Sequence, residues 1–218
     1  MTLELTARSK PKVYLIDDDP VVTFLLVDLV ESVNLPHQVF ESAVKFLDQD
    51  LAGVEGCIVS DLRMPGMSGL ELQDELHERG INLPMIFVSA YAEVQSVVRA
   101  MRGGALDFFQ KPFSSQQLIE RIQDGLRIDR ERAELQARNR RMGERIALLT
   151  PREKEVLQGI FEGKLTKVIA EELGISTRTA ETYRQLIMQK LQAGSIAELV
   201  RIVIEAMPPG QHALAHAQ

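Results

Sequence analysis

Three consecutive aspartates, Asp17, Asp18 and Asp19, follow the apolar run KVYLI, and a fourth, Asp61, follows the run GCIVS. Ser89 closes a third run, PMIFVS, and Lys111 comes just after a fourth, LDFF. Carboxylates gathered in one place repel, which is costly unless a cation neutralises them. Oxygen donors with room left for water suit Mg²⁺. A carboxylate flanked by a metal ion, an ammonium and a hydroxyl has the equipment of phosphoryl transfer. Asp61 attacks phosphorus, Mg²⁺ and Lys111 neutralise the equatorial oxygens, and Ser89 donates to one of them. Each group also has a plainer use by itself. The aspartate run could cap a helix before Pro20, Asp61 could belong to the turn before Met64-Pro65-Gly66, and Lys111 could be a surface lysine. The joint pattern favours chemistry, because all four elements fall at matching ends of four runs.

That convergence needs a particular fold. Strand-like runs cover residues 12–17, 37–40, 56–61, 84–89 and 106–109. Helix-period segments alternate with them at 21–33, 42–47, 68–79 and 93–102, and a fifth opens at Ser114. The alternation predicts an α/β domain, a doubly wound five-stranded parallel sheet covered by helices on both faces. In the order 2-1-3-4-5, strands one, three, four and five lie side by side, and ligands bind at their carboxyl ends.

These stretches, LIDDDP, IVSDLRMPGMSGLEL, IFVSA and DFFQKPF, make residues 12–125 resemble the receiver domain of bacterial two-component response regulators. The resemblance implies that Asp61 accepts a phosphoryl group from a sensor histidine kinase. It implies that Asp18, Asp61 and the main-chain carbonyl of Arg63 ligate Mg²⁺, with Asp17 helping mainly through water. Ser89 takes the place of the switch hydroxyl, Phe108 that of the switch aromatic, and Lys111 that of the family lysine. A cis peptide before Pro112 is the usual companion. Ser89 and Phe108 are the less common variants, and Phe108 lacks a phenolic hydroxyl. The haloacid-dehalogenase phosphatases are a rival resemblance, through Asp17-x-Asp19, Ser89 and Lys111. They need an acidic motif after the lysine, whereas Glu120 and Asp124 fall in a helical segment, and they leave the SDLRMPGMSG run unexplained.

A second constellation lies near the other end. Residues 144–207 read as four helices, with capping boxes at Thr150 to Glu153 and Ser195 to Glu198. The stretch from Lys164 to Leu191, broken by Gly174-Ile175-Ser176, has helix-turn-helix spacing. Ala170, Leu173, Ala180, Ile187 and Leu191 suit its inner face. Arg178, Glu181, Thr182 and Gln185 recur at i, i+3, i+4 and i+7 on one outward face, and each side chain can address a base edge. Lys167, Arg184 and Lys190 are placed as phosphate anchors. The plainer alternative is a small helical bundle with an ordinary polar face. Between the two modules, residues 126–143 carry opposite charges four apart and few apolar residues. They read as a solvated spacer helix, which can run on from the helix opening at Ser114, with a coiled coil as the alternative.

The run from LTPREKEVL to SIAELVRI resembles the LuxR-type domain of the NarL/FixJ response regulators, nearest the FixJ-like branch. Leu165-Thr166 replaces the usual Ser-Asn, Ala180 the usual Val and Tyr183 the usual His. The resemblance implies a transcription regulator and not an enzyme. Phosphorylation is expected to draw in Ser89 and Lys111, repack Phe108 and reshape the face from Glu93 to Phe109. That favours a homodimer on an approximate inverted repeat of double-stranded DNA, or release of the second domain. RNA polymerase is a further expected partner. A receiver that gates DNA binding without phosphate, or one acting on protein partners, are the alternatives.

Composition agrees. The 218 residues are 45% hydrophobic and 26% charged, with a single cysteine, Cys57, which excludes an intrachain disulfide. Residues 1–125 carry 10 Lys+Arg against 19 Asp+Glu, and residues 126–218 carry 15 against 12. Such asymmetry suggests two modules with different partners. No apolar run approaches the ~20 residues of a membrane span, and the first ten residues lack a signal-peptide core, so the expected location is the cytoplasm. The expected division is a receiver at 11–125, a linker at 126–143, a DNA-binding domain at 144–207 and a disordered tail at 208–218.

Overall fold

A computed structural model describes residues 11–91 and 93–206. Residues 208–218, expected to be disordered, lie outside the described residues. The chain divides into two compact units, one ending at Ala133 and one beginning at Glu134.

In the first unit, β1 (Lys12–Ile16), β2 (His37–Phe40), β3 (Gly56–Ser60), β4 (Met85–Ser89) and β5 (Asp107–Gln110) form one parallel sheet in the order β2-β1-β3-β4-β5. Successive strand residues face opposite sides of a sheet, and the burial follows that alternation. Tyr14, Ile16, Ile58, Met85 and Phe87 enter one core with residues of α2 (Ala43–Leu47), α3 (Gly69–Glu78) and α4 (Val94–Arg102). Val13, Leu15, Cys57, Val59, Ile86 and Val88 enter the other with residues of α1 (Pro20–Ser32) and α5 (Ser115–Ala147). Every residue of β3 and β4 is buried, as continuous apolar runs in a covered parallel sheet should be.

The helix starts are set by local chemistry. Asp19 caps α1, accepting from Val21 N at 2.8 Å, with Pro20 at the first position. Ser68 and Glu71 form a reciprocal capping box on α3.

The second unit holds α6 (Pro151–Phe161), α7 (Thr166–Glu172), α8 (Thr177–Leu191) and α9 (Ile196–Ala206). Val156, Ile160, Ile169, Ile187, Leu191, Leu199 and Val203 form its core. Thr150 and Glu153 make the expected capping box on α6. The box expected at Ser195 forms by half. Ser195 Oγ accepts from Glu198 N, while the Glu198 carboxylate turns to Gly194 N at 2.9 Å. Leu165 caps α7 with no side-chain hydrogen bond, which its hydrocarbon side chain cannot supply.

Residues 126–143 are helical and continue the helix that opens near Ser114. The stretch lies inside α5, a helix of 33 residues, and it is not wholly solvated. In the first unit, Asp129 is buried and accepts from Gly56 N at 2.7 Å, and Arg132 donates to the Asn82 carbonyl. In the second unit, Met142 packs on the helical core and Arg138 pairs with Glu205 at 3.1 Å. A periodicity count sees few apolar residues there; the buried Asp129, two arginines and Met142 make the contacts. No described helix is long and apolar enough to cross a membrane.

Gly56 opens β3 at φ +147, a conformation that L side chains rarely adopt, and a Cβ there would overlap the Lys12 carbonyl oxygen. Gly56→Ala should therefore cost about 2–4 kcal/mol. Urea denaturation followed by circular dichroism checks this; a loss under about 0.5 kcal/mol, the range of a neutral surface change, would contradict the strain.

Candidate functional site

The strand register sets the site. Ile16 pairs with Ser60 and Ser60 with Phe87, so Asp17 and Asp61 leave the sheet at one level and Ser89 lies one residue beyond it. Ser89 pairs with Gln110, which puts Lys111 next on the adjoining strand end. Asp17 is 3% exposed and Asp61 8%. The Lys111 ammonium lies 3.0 Å from Asp17 Oδ2 and 3.2 Å from Asp61 Oδ1. Main-chain donors take the other oxygens: Asp19 N donates to Asp17 Oδ1 at 2.9 Å and Arg63 N to Asp61 Oδ2 at 2.7 Å. The Lys111-Pro112 peptide is cis.

The aspartate run thus splits by function. Asp17 points inward, Asp18 is exposed and Asp19 is the helix cap. The capping use falls to Asp19, and the place beside Lys111 falls to Asp17. Burial holds the Asp17 carboxyl above the usual carboxylate range; the Asp19 N–H and Lys111 oppose this, and the charge of Asp61 adds to it.

Ser89 is buried, and its Oγ accepts from Tyr91 N at 3.4 Å. Phe108 pairs with Phe87 across the strands and is half-buried against the first core. One feature has no signal in the sequence pattern. The Arg63 guanidinium forms an ion pair with Glu93, the N-cap residue of α4, and lies over the Tyr91 ring at 4.8 Å from its centroid. It ties the loop after Asp61 to the loop after Ser89 through residues about thirty apart.

Among the described residues, no group of three or more His, Cys, Asp or Glu side chains is arranged to hold a metal ion. The donors that do converge are two buried carboxylates, with Asp18 exposed alongside. Hard oxygens with most of the shell left to water fit Mg²⁺.

In the second unit, Ala180, Ile187 and Leu191 of α8 are fully buried. Arg178, Glu181, Thr182 and Gln185 of the same helix are exposed, as is Lys167 on α7. Thr182 Oγ1 donates to the Arg178 carbonyl at 3.0 Å, leaving its methyl and oxygen lone pairs for any contact. Arg184 is half-buried and donates to Thr166 Oγ1 at 3.1 Å. Lys190, expected as a phosphate anchor, is exposed and bonded to the buried Glu153 carboxylate at 2.7 Å.

Residues 13–123 match the response regulator receiver domain, and residues 147–203 match the luxR family of bacterial regulatory proteins. The transcriptional regulatory protein FixJ of Azorhizobium caulinodans is 41% identical over 194 residues, 89% of this chain and 92% of that protein. The transcriptional regulatory protein TdiR of Thauera aromatica is 40% identical over 192 residues, 88% of this chain and 85% of that protein. Among solved structures, the response regulator StyR superposes with a TM-score of 0.81 at 38% identity, covering 90% of this chain and all (100%) of that one. Full-length FixJ from B. japonicum gives a TM-score of 0.55 at 38% identity, covering 91% and 98%.

A carboxyl whose pKa is raised by folding costs stability once it ionises, so the cost grows as pH rises above its ordinary value near 3.8. In metal-free buffer, Asp17→Asn should therefore melt at a higher temperature than the parent at pH 7. The gap should close as pH falls below that ordinary value. Melting curves at several pH values check it, and equal melting temperatures at pH 7 would remove the argument.

Proposed function

We propose that this chain, which belongs to the response regulators joining a receiver domain to a LuxR-type DNA-binding domain, is switched by phosphorylation of Asp61. Response regulators of this kind are transcription factors, and their receivers take phosphoryl groups from sensor kinases. The observation that carries the reading is the Lys111 ammonium shared by the Asp17 and Asp61 carboxylates at the strand ends.

In the reaction, an Asp61 carboxylate oxygen attacks the phosphorus of a phosphohistidine. The new O–P bond makes an acyl phosphate as the P–N bond breaks, and the leaving imidazole nitrogen takes up a proton. Lys111 neutralises charge on the phosphoryl oxygens, and the Ser89 hydroxyl donates to one of them. Receivers generally use Mg²⁺; Asp18, Asp61 and the Arg63 carbonyl would hold it, with Asp17 through water, and bound there it supplies further charge neutralisation. The transferred group carries about −1.5 to −2 charge. Lys111 and Ser89 follow that charge, and Phe108 fills the space vacated towards Ser89. The face from Glu93 to Phe109 then takes a shape that favours a homodimer.

On DNA, the exposed side of α8 enters the major groove. Arg178, Glu181, Thr182 and Gln185 address bases, while Lys167 and Arg184 contact phosphates. Two subunits read an approximate inverted repeat, and RNA polymerase is the next partner.

Asp61→Asn should lose all labelling by a small phosphodonor with Mg²⁺, measured on phosphate-affinity gels. Labelling at the parent level would refute Asp61 as acceptor. If labelling is lost but regulated DNA binding persists, the receiver gates without phosphate. Gln185→Ala should relax preference at one or two base pairs in a binding-site selection, with a cost of about 1–3 kcal/mol for the preferred base. Equal weakening on every sequence would make Gln185 something other than a base reader.

A further inference from the structure

Glu153 is a carboxylate 3% exposed in the first turn of α6. Its Oε2 accepts from Thr150 N at 2.7 Å and from Lys190 Nζ at 2.8 Å, and its Oε1 lies 2.7 Å from the same ammonium. Lys190 stands in the last turn of α8. One ion pair therefore joins the start of α6 to the end of the helix that carries Arg178, Glu181, Thr182 and Gln185. The two partners differ in their surroundings. Glu153 is sealed in, whereas the Lys190 side chain keeps 39% of its exposure. A buried carboxylate deprived of its cation is strongly unfavourable, but a half-exposed lysine deprived of its anion is not. Glu153 thus holds Lys190 far more firmly than a surface pair would. The Lys190 bond keeps the Glu153 carboxyl below the usual carboxylate range, so the pair stays charged at neutral pH. The other end of α8 is fixed separately, by the Ser176 cap and the Arg184 bond to Thr166.

We propose that Lys190 is a positioning residue and not a phosphate contact: the Glu153–Lys190 pair fixes the pose of α8, so a buried acid sets the affinity for DNA. This rests on the DNA-binding reading of α8. The idea makes a prediction of unusual sign. Removing an acid from a DNA-binding domain should strengthen binding by simple electrostatics, whereas loss of the clamp weakens it.

The test uses the full chain and a duplex selected from random-sequence DNA by the parent protein. If the parent selects no sequence and binds no duplex, the DNA-binding reading fails before any variant is compared. Fluorescence anisotropy at 10 °C, across a salt series, is then run on Glu153→Gln, Lys190→Met and the double variant. The double variant removes the buried charge together with its counter-ion, so it folds even if Lys190→Met alone does not. Glu153→Gln and Lys190→Met should each weaken binding about tenfold. The double variant should be no weaker than either, as expected for partners in one interaction. The slope of log K against log salt should match the parent in all three. A slope shallower by about 0.9 in Lys190→Met, with Glu153→Gln binding as the parent or better, would make Lys190 a phosphate anchor and overturn the proposal. Unchanged affinity in folded Glu153→Gln, with only its melting temperature lowered, would overturn it as well.

Discussion

Two carboxylates at the end of a covered sheet share a single ammonium, and the first unit is built around that arrangement. Asp17 and Asp61 are nearly sealed from water, where an unpaired charge is very costly. Lys111 reaches both, and the main-chain donors Asp19 N and Arg63 N occupy the remaining oxygens. Asp17 and Asp61 lie 94 and 50 residues from Lys111 in sequence. Only a parallel sheet that places β1, β3, β4 and β5 side by side brings their ends to one level. The fold is therefore a condition of this arrangement, in which burial still raises the proton affinity of Asp17.

The fold was legible because its signals are periodic. The five apolar runs and their alternation with helical segments follow from residue type and spacing, the strand order is the usual one of that fold type, and the cores sort by odd and even strand positions as a pleated sheet requires. The convergence of Asp17, Asp61 and Lys111 was legible for the same reason, since each stands at the end of such a run. What escaped were polar contacts that no strand end or helix cap announces. Arg63 reaching Glu93, Lys190 reaching Glu153 and Asp129 reaching Gly56 N join positions with no common period. The division of labour within Asp17, Asp18 and Asp19 was equally hidden. Three identical residues take inward, exposed and capping places because β1 ends and α1 begins between them.

The departures from the usual LuxR-type pattern acquire physical content from the same geometry. Ala180 is completely buried in α8, so its small size is accommodated inside the core. Tyr183 packs half-buried against that core. Thr166 accepts from Arg184, and Leu165 leaves α7 without a side-chain cap. At 165-166 this chain therefore has an uncapped helix start and a side-chain link between α7 and α8.

The strand β3 is held at both ends. Gly56 N is bonded to the buried Asp129 of α5, and Asp61 follows directly after the last residue, Ser60. A five-residue strand pinned in this way behaves as a ruler. It has no slack to absorb an inserted or deleted residue, since either would swing Asp61 to the opposite face or pull Gly56 off its helix. The spacing between the floor of the sheet and its carboxylate-bearing rim is consequently a fixed length of this molecule, while variation in length is left to the loops on either side.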